Sequence, residues 1–114
     1  MTVQRYGMVI GLKPEKIEHY NKLHEAVWPD VLKTIKDCHI RNYSIYLGEI
    51  EKGKHYLFSY FEYTGENFDA DMSRMAADPA TQKWWKETMP LQVPISTRRE
   101  TEWWSRMEEV FHID

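Results

Sequence analysis

At 114 residues the chain is long enough for one domain and too short for two, so residues 1–114 are read as a single unit. Its formal net charge of −3 excludes the basic face that a binder of nucleic-acid backbones needs. Cys38 is the only cysteine, which excludes an internal disulfide and any cysteine-built metal site, and a lone thiol fits a reducing compartment. The thiol is expected to be inert and partly buried at a helix end.

The N-terminal stretch carries only a short apolar run, neither a signal peptide nor a membrane span, and the expected location is the cytoplasm. Arg5–Leu12 alternates as a strand, with Tyr6, Met8, Ile10 and Leu12 on one face. Lys13-Pro14-Glu15 opens a helix, since proline suits a first turn and Glu15 and Glu18 complement the positive end of its dipole. An apolar stripe runs through Ile17, Tyr20, His24, Val27 and Trp28. Pro29 kinks or restarts the helix, which then continues through Val31, Leu32 and Ile35 to about Asp37.

Ile40–Ile50 and Lys54–Tyr63 are rich in aromatic and β-branched residues, and the short turn Glu51-Lys52-Gly53 predicts an antiparallel hairpin. A second helical region covers roughly Asn67–Met89, interrupted near Asp78-Pro79. A polar connection follows, and Met107–Ile113 reads as a last strand. The order β-α-β-β-α-β is that of a ferredoxin-like α+β fold, a four-stranded antiparallel sheet with helices on one face. In the third strand Tyr56, Phe58 and Tyr60 lie on one side and Leu57, Phe61 and Tyr63 on the other. A monomer covers only one of these apolar faces, which predicts a homodimer.

Three features could carry chemistry. His24 lies one helical turn from both Tyr20 and Trp28, so Tyr20 and His24 offer two polar groups in an aromatic-walled cavity. Histidine suits proton transfer near neutral pH; the competing reading is a satisfied core histidine. Trp84-Trp85 offers flat apolar ring faces and indole N–H groups, suited to a sugar's C–H and hydroxyl groups, against the reading that both are core. Tyr43, Ile45 and Leu47 share a strand face under the helices, which brings the Tyr43 phenol toward His24. The five histidines show no metal-ligand spacing, and no phosphate loop or nucleophile elbow is present.

The segments Y-x-x-x-H-x-x-x-W-P (Tyr20, His24, Trp28, Pro29), N-Y-S-I-Y-L (Asn42–Leu47), W-W-K (Trp84–Lys86) and E-V-F (Glu109–Phe111) resemble the L-rhamnose mutarotase family in order and approximate spacing. The resemblance spans nearly the whole chain. It implies a dimeric α/β barrel of ferredoxin-like halves that interconverts the anomers of L-rhamnose or a related 6-deoxy sugar without metal or organic cofactor. It also implies that His24 is the proton donor and that Tyr20, Tyr43, Trp84 and Trp85 bind the sugar. Two departures bear on sugar preference: Arg41 stands where enterobacterial relatives are expected to carry histidine, and a longer connection from Leu91 to Arg106 carries Trp103-Trp104. The rival reading is a dimeric ferredoxin-like monooxygenase or haem-degrading enzyme, and a second is a sugar-binding module without catalysis.

Overall fold

In the computed structural model, which describes residues 2–114, strand β1 (Gln4–Leu12) lies inside an antiparallel sheet. Its alternation sends Ile10 and Leu12 into the core, both buried. A 3-10 turn at Pro14–Lys16 leads into helix α1 (Ile17–His24). Of the kink or restart expected at Pro29, the structure takes the restart. Trp28 precedes a proline, and its extended backbone (φ −59, ψ 134) is the conformation that the proline ring imposes on its predecessor. Pro29 then opens helix α2 (Pro29–Asp37) as a separate element.

His39 follows α2 in the left-handed region (φ 67), its N–H donating to the Lys36 carbonyl at 3.0 Å, and turns the chain into β2 (Ile40–Glu51). The hairpin to β3 (Lys54–Tyr63) closes on Lys52-Gly53. There Gly53 has φ 80, and its N–H donates to the Glu49 carboxylate at 2.9 Å. Helices α3 (Phe68–Ala77) and α4 (Pro79–Thr88) are parted by Asp78, whose Oδ2 accepts from the Thr81 N–H at 2.9 Å and the Thr81 hydroxyl at 2.8 Å. A 3-10 turn at Met89–Leu91 leads to β4 (Gln92–Val93), and β5 (Ser105–Met107) follows.

The sheet order is β2-β3-β1-β4, with β5 also pairing with β1, and the helices cover one face. This is the expected α+β arrangement with two corrections: the sheet has five strands where four were expected, because Gln92–Val93 of the expected polar connection pairs with β1, and the C-terminal strand is displaced. The strand expected over Met107–Ile113 is confined to Ser105–Met107. Gly7 pairs with Met107, so continuing that register sets Glu108 opposite Tyr6, Glu109 opposite Arg5 and Val110 opposite Gln4, where β1 ends. At Arg5 the contact becomes a side-chain fork, both guanidinium bonds to Glu109 measuring 2.9 Å, and the residues beyond have no strand of this chain to pair with. The upper part of the same β1 edge is taken by β4. A Cβ on Gly11 would stand 2.8 Å from the Val93 carbonyl oxygen, so only glycine admits that strand.

Two apolar clusters fill the space between sheet and helices. Ile10, Leu12, Tyr20, Leu57 and Leu91 form one, joined by Ile17, Leu23, Ile45, Trp103 and Trp104. Ile40, Phe61 and Tyr63 form the other, joined by Tyr6, Met8 and Phe68 among others. Cys38 is buried, and that burial pushes its thiol pKa up, as an inert cysteine requires. No helix among the described residues is long and apolar enough to cross a membrane.

Candidate functional site

Helix periodicity places Tyr20 and His24 one turn apart on the inner face of α1, and their rings stack with centroids 4.3 Å apart. The His24 Nδ1 lies 3.0 Å from the Tyr20 carbonyl oxygen. A carbonyl can only accept, so Nδ1 carries the hydrogen in this contact. That leaves Nε2 as the working nitrogen, a base when the ring is neutral and an acid when it is charged. Trp84 of α4 meets the histidine edge-on at 5.2 Å and Trp28 at 5.1 Å, so the imidazole sits between a phenol face and an indole.

Tyr20 is buried, and that burial drives its pKa well above the ordinary phenol value, with a hydrogen bond from Gln92 opposing the rise and the Tyr43 phenol adding to it. Its hydroxyl therefore stays protonated at any working pH.

Tyr43 reaches this region through a β-bulge. Arg41 pairs with Glu62 and Ser44 with Tyr60, so Asn42 and Tyr43 together oppose Phe61 alone. Asn42 takes the left-handed conformation (φ 50), and its amide donates to Glu62 at 2.8 Å. In a regular strand Ile40 and Tyr43, three residues apart, would face opposite sides. The bulge lets both face inward: Ile40 is buried, and the Tyr43 ring packs edge-on against Phe61 at 5.5 Å.

Tyr43 and Leu47 of β2 remain 43 % and 38 % exposed on the inner face. The helices thus leave a hollow along β2. Desolvation by its neighbours pushes the Tyr43 phenol pKa up to about 12.

The expected sugar-binding pair Trp84-Trp85 is divided. Trp84 is buried beside His24 and Trp28, whereas Trp85 points about 100° away around α4. It lines an apolar groove of about 520 Å³ with Gln82, Lys86, Met89, Pro90 and Trp103. Of the residues lining this groove only Lys86 is ionisable, and the groups able to move protons are gathered at His24. Arg41 donates to the backbone carbonyls of Lys36 and Ile40, both at 2.9 Å, so it secures the end of α2.

One member of the site escapes sequence reasoning. Gln92, buried at 7 %, places its Nε2 3.4 Å from the Tyr20 hydroxyl and its Oε1 2.9 Å from the Trp103 indole nitrogen. Gln92 lies 72 positions from Tyr20, and its only signal is a polar residue in the apolar setting of Leu91 and Val93. Trp104 packs on the first core cluster. Among the described residues no three of His, Cys, Asp and Glu come together as a ligand set for a metal.

The family model described as L-rhamnose mutarotase matches residues 5–113. The chain is 32 % identical to the L-rhamnose mutarotase of Oceanobacillus iheyensis, an alignment covering 98 % of this chain and 100 % of the relative. It is 31 % identical to that of Phocaeicola vulgatus, with the same coverage of both chains. The fold resembles the crystal structure of an L-rhamnose mutarotase from Formosa agariphila, with a TM-score of 0.72 at 21 % identity over 97 % of this chain and 99 % of that one. A match along almost the entire length, including the helix that carries Tyr20 and His24, settles the lineage: the chain belongs to the L-rhamnose mutarotase family.

Proposed function

We propose that this protein interconverts the α and β anomers of L-rhamnose or a related 6-deoxy sugar, with His24 as proton donor and Tyr20, Tyr43, Trp84 and Trp85 as the sugar-binding residues. Membership of the family supports the reaction. The observation that carries the site is the Tyr20–His24 stack, in which Nδ1 is engaged and Nε2 is left for a ligand.

A pyranose changes anomer by opening to the aldehyde, rotating about C1–C2 and closing again. Opening requires a proton delivered to the ring oxygen and another removed from the anomeric hydroxyl. Charged His24 delivers the first through Nε2, and solvent water takes the second from the anomeric hydroxyl and returns it on closure. Closure on the opposite face runs the same transfer backwards, returning the proton to Nε2. One positioned acid contributes about 10²–10⁴-fold, sufficient for a reaction that already proceeds unaided, and the chemistry itself requires neither redox centre nor Lewis acid. Trp84, buried against the histidine, and the half-exposed Tyr43 supply the apolar walls and a hydroxyl donor that a deoxy sugar's C–H face and hydroxyls need.

The test is saturation transfer between the two anomeric protons of L-rhamnose by NMR. Exchange should accelerate in proportion to protein concentration and saturate with sugar. Exchange at the spontaneous rate overturns the reading and leaves a non-catalytic binder.

The working form is proposed to be a cytoplasmic homodimer of single-domain chains, closing an α/β barrel. On the uncovered face Tyr46 and Ile50 are 64 % and 60 % exposed, and Phe111 of the C-terminal segment is 77 % exposed, large apolar groups of the kind that a second copy would cover. Light scattering should give twice the chain mass at micromolar concentration; a monomer there ends the dimer proposal.

A further inference from the structure

The Trp103 indole nitrogen can only donate, so the Gln92 atom 2.9 Å from it must be the carbonyl oxygen. That contact orients the amide, and it turns the Gln92 NH₂ toward the Tyr20 hydroxyl at 3.4 Å. An amide nitrogen only donates in its turn. The Tyr20 oxygen is therefore the acceptor, and its own hydrogen must point elsewhere. Three groups in series thus share one polarity, from indole to amide to phenol.

We infer that Gln92 and Trp103 are positioning residues which hold the Tyr20 hydroxyl as a hydrogen-bond donor toward the sugar. The inference rests on the proposed sugar site at Tyr20. The 3.4 Å separation is long for a finished hydrogen bond, as is common for catalytic contacts before substrate draws them together.

The loop between β4 and β5 is built to bring Trp103 back. The Arg98 guanidinium lies over the Trp103 ring at 5.8 Å, the Arg98 Nη1 donates to the Glu102 carbonyl at 2.8 Å, and the Thr97 and Ser105 hydroxyls are bonded at 2.7 Å. A loop serving only as a connection needs no aromatic anchor hydrogen-bonded to a buried glutamine. The second tryptophan pair of the sequence thereby acquires a role: Trp104 packs, and Trp103 orients.

The experiment uses Gln92→Glu and Trp103→Phe, with the wild-type protein as control for the sugar reading itself. A wild type that does not accelerate anomer exchange of L-rhamnose sinks that reading. Given an active wild type, Gln92→Glu tests the polarity. The ionised carboxylate of that variant accepts from both neighbours and takes the Tyr20 hydrogen away from the sugar, so kcat should fall about tenfold at pH 8. It should recover as the pH is lowered toward 5 and the carboxylic acid regains a donor. A pH profile parallel to wild type refutes the inference.

Should Gln92→Glu not fold, Trp103→Phe decides. Loss of the indole donor frees the amide to turn over and should lower kcat about fivefold with KM little changed, the worth of about one hydrogen bond. Unchanged kcat in that variant is equally fatal. The bridge has its own readout in sugar-free protein: Gln92→Leu should speed hydrogen exchange of the Trp103 indole N–H at least about tenfold, and an unchanged rate refutes the bridge.

Discussion

The two ends of the inner sheet face carry the same residue types in opposite condition. At one end Tyr63, His39 and Asp71 form a closed set: the Tyr63 hydroxyl donates to Asp71 at 2.5 Å, His39 Nδ1 lies 3.1 Å from the same oxygen, and Arg74 binds the other oxygen at 3.0 Å. The Asn67 N–H donates back to the phenol oxygen at 3.0 Å, so the donors and acceptors there answer one another. At the other end Tyr20 and His24 have no carboxylate between them, and the His24 Nδ1 meets a backbone carbonyl instead. A saturated set holds a helix on a sheet. A set with unused hydrogen-bonding capacity beside a hollow is placed for a ligand.

The largest expected effect lies at the unsaturated end. His24→Ala should fold and bind sugar yet lose about 10²–10⁴-fold of its acceleration of anomer exchange, as measured by saturation-transfer NMR alongside a thermal melt. A core histidine predicts the reverse, a lower melting temperature with exchange per folded molecule intact, and that result erases the contrast between the two ends.

Next come the tryptophans. Trp84→Ala removes a buried indole and should cost about 3–5 kcal/mol of stability, read by denaturant titration, together with sugar affinity. Trp85→Ala, half-buried at the groove, should melt near wild type, so its sugar saturation curve isolates binding. At least one of the two should weaken affinity more than about tenfold, since stacking and hydroxyl contacts are lost with the ring. If both bind as wild type, both rings are structural.

The smallest effect on the reaction belongs to the saturated end. Asp71→Asn should lower the melting temperature by roughly 5 °C and leave exchange per folded molecule unchanged. The hydrogen bond from Tyr63, then that from His39, holds the Asp71 carboxyl below its ordinary pKa of 3.8. Its contribution to stability is therefore complete above about pH 4 and fades as the pH falls through the lower folded value. Wild type should lose stability more steeply than Asp71→Asn in that acid window, and parallel melting curves would show that the carboxylate contributes nothing.

Much of this was legible along the chain because it is local. The period of α1 sets Tyr20 and His24 on one stripe, Pro29 and Pro79 each start a helix, and Lys52-Gly53 closes the hairpin, all within a few residues. The alternation of β3 separates Leu57 and Phe61 from Tyr56 and Phe58 for the same reason. The last strand was misplaced because β-propensity in Met107–Ile113 is a property of the segment, whereas pairing needs a partner edge: beside Arg5 the contact with Glu109 is made by side chains, and β1 offers nothing to the residues beyond Val110.

Tyr43 shows where local reading stops and packing begins. Its inward face was expected from strand alternation, but Ile40 also faces inward, and only the bulge at Asn42, stabilised across the sheet by Glu62, allows both. Likewise the division of Trp84 from Trp85 follows from 100° of helix rotation, but which of them meets His24 depends on how α4 is set against α1. Pattern and period thus decide which residues can share a face, because they act through covalent geometry over one or two turns. The Trp103–Gln92–Tyr20 series joins a loop, a two-residue strand and a helix, and it exists only because the closing of β4 on Gly11 brings those distant segments within hydrogen-bonding reach.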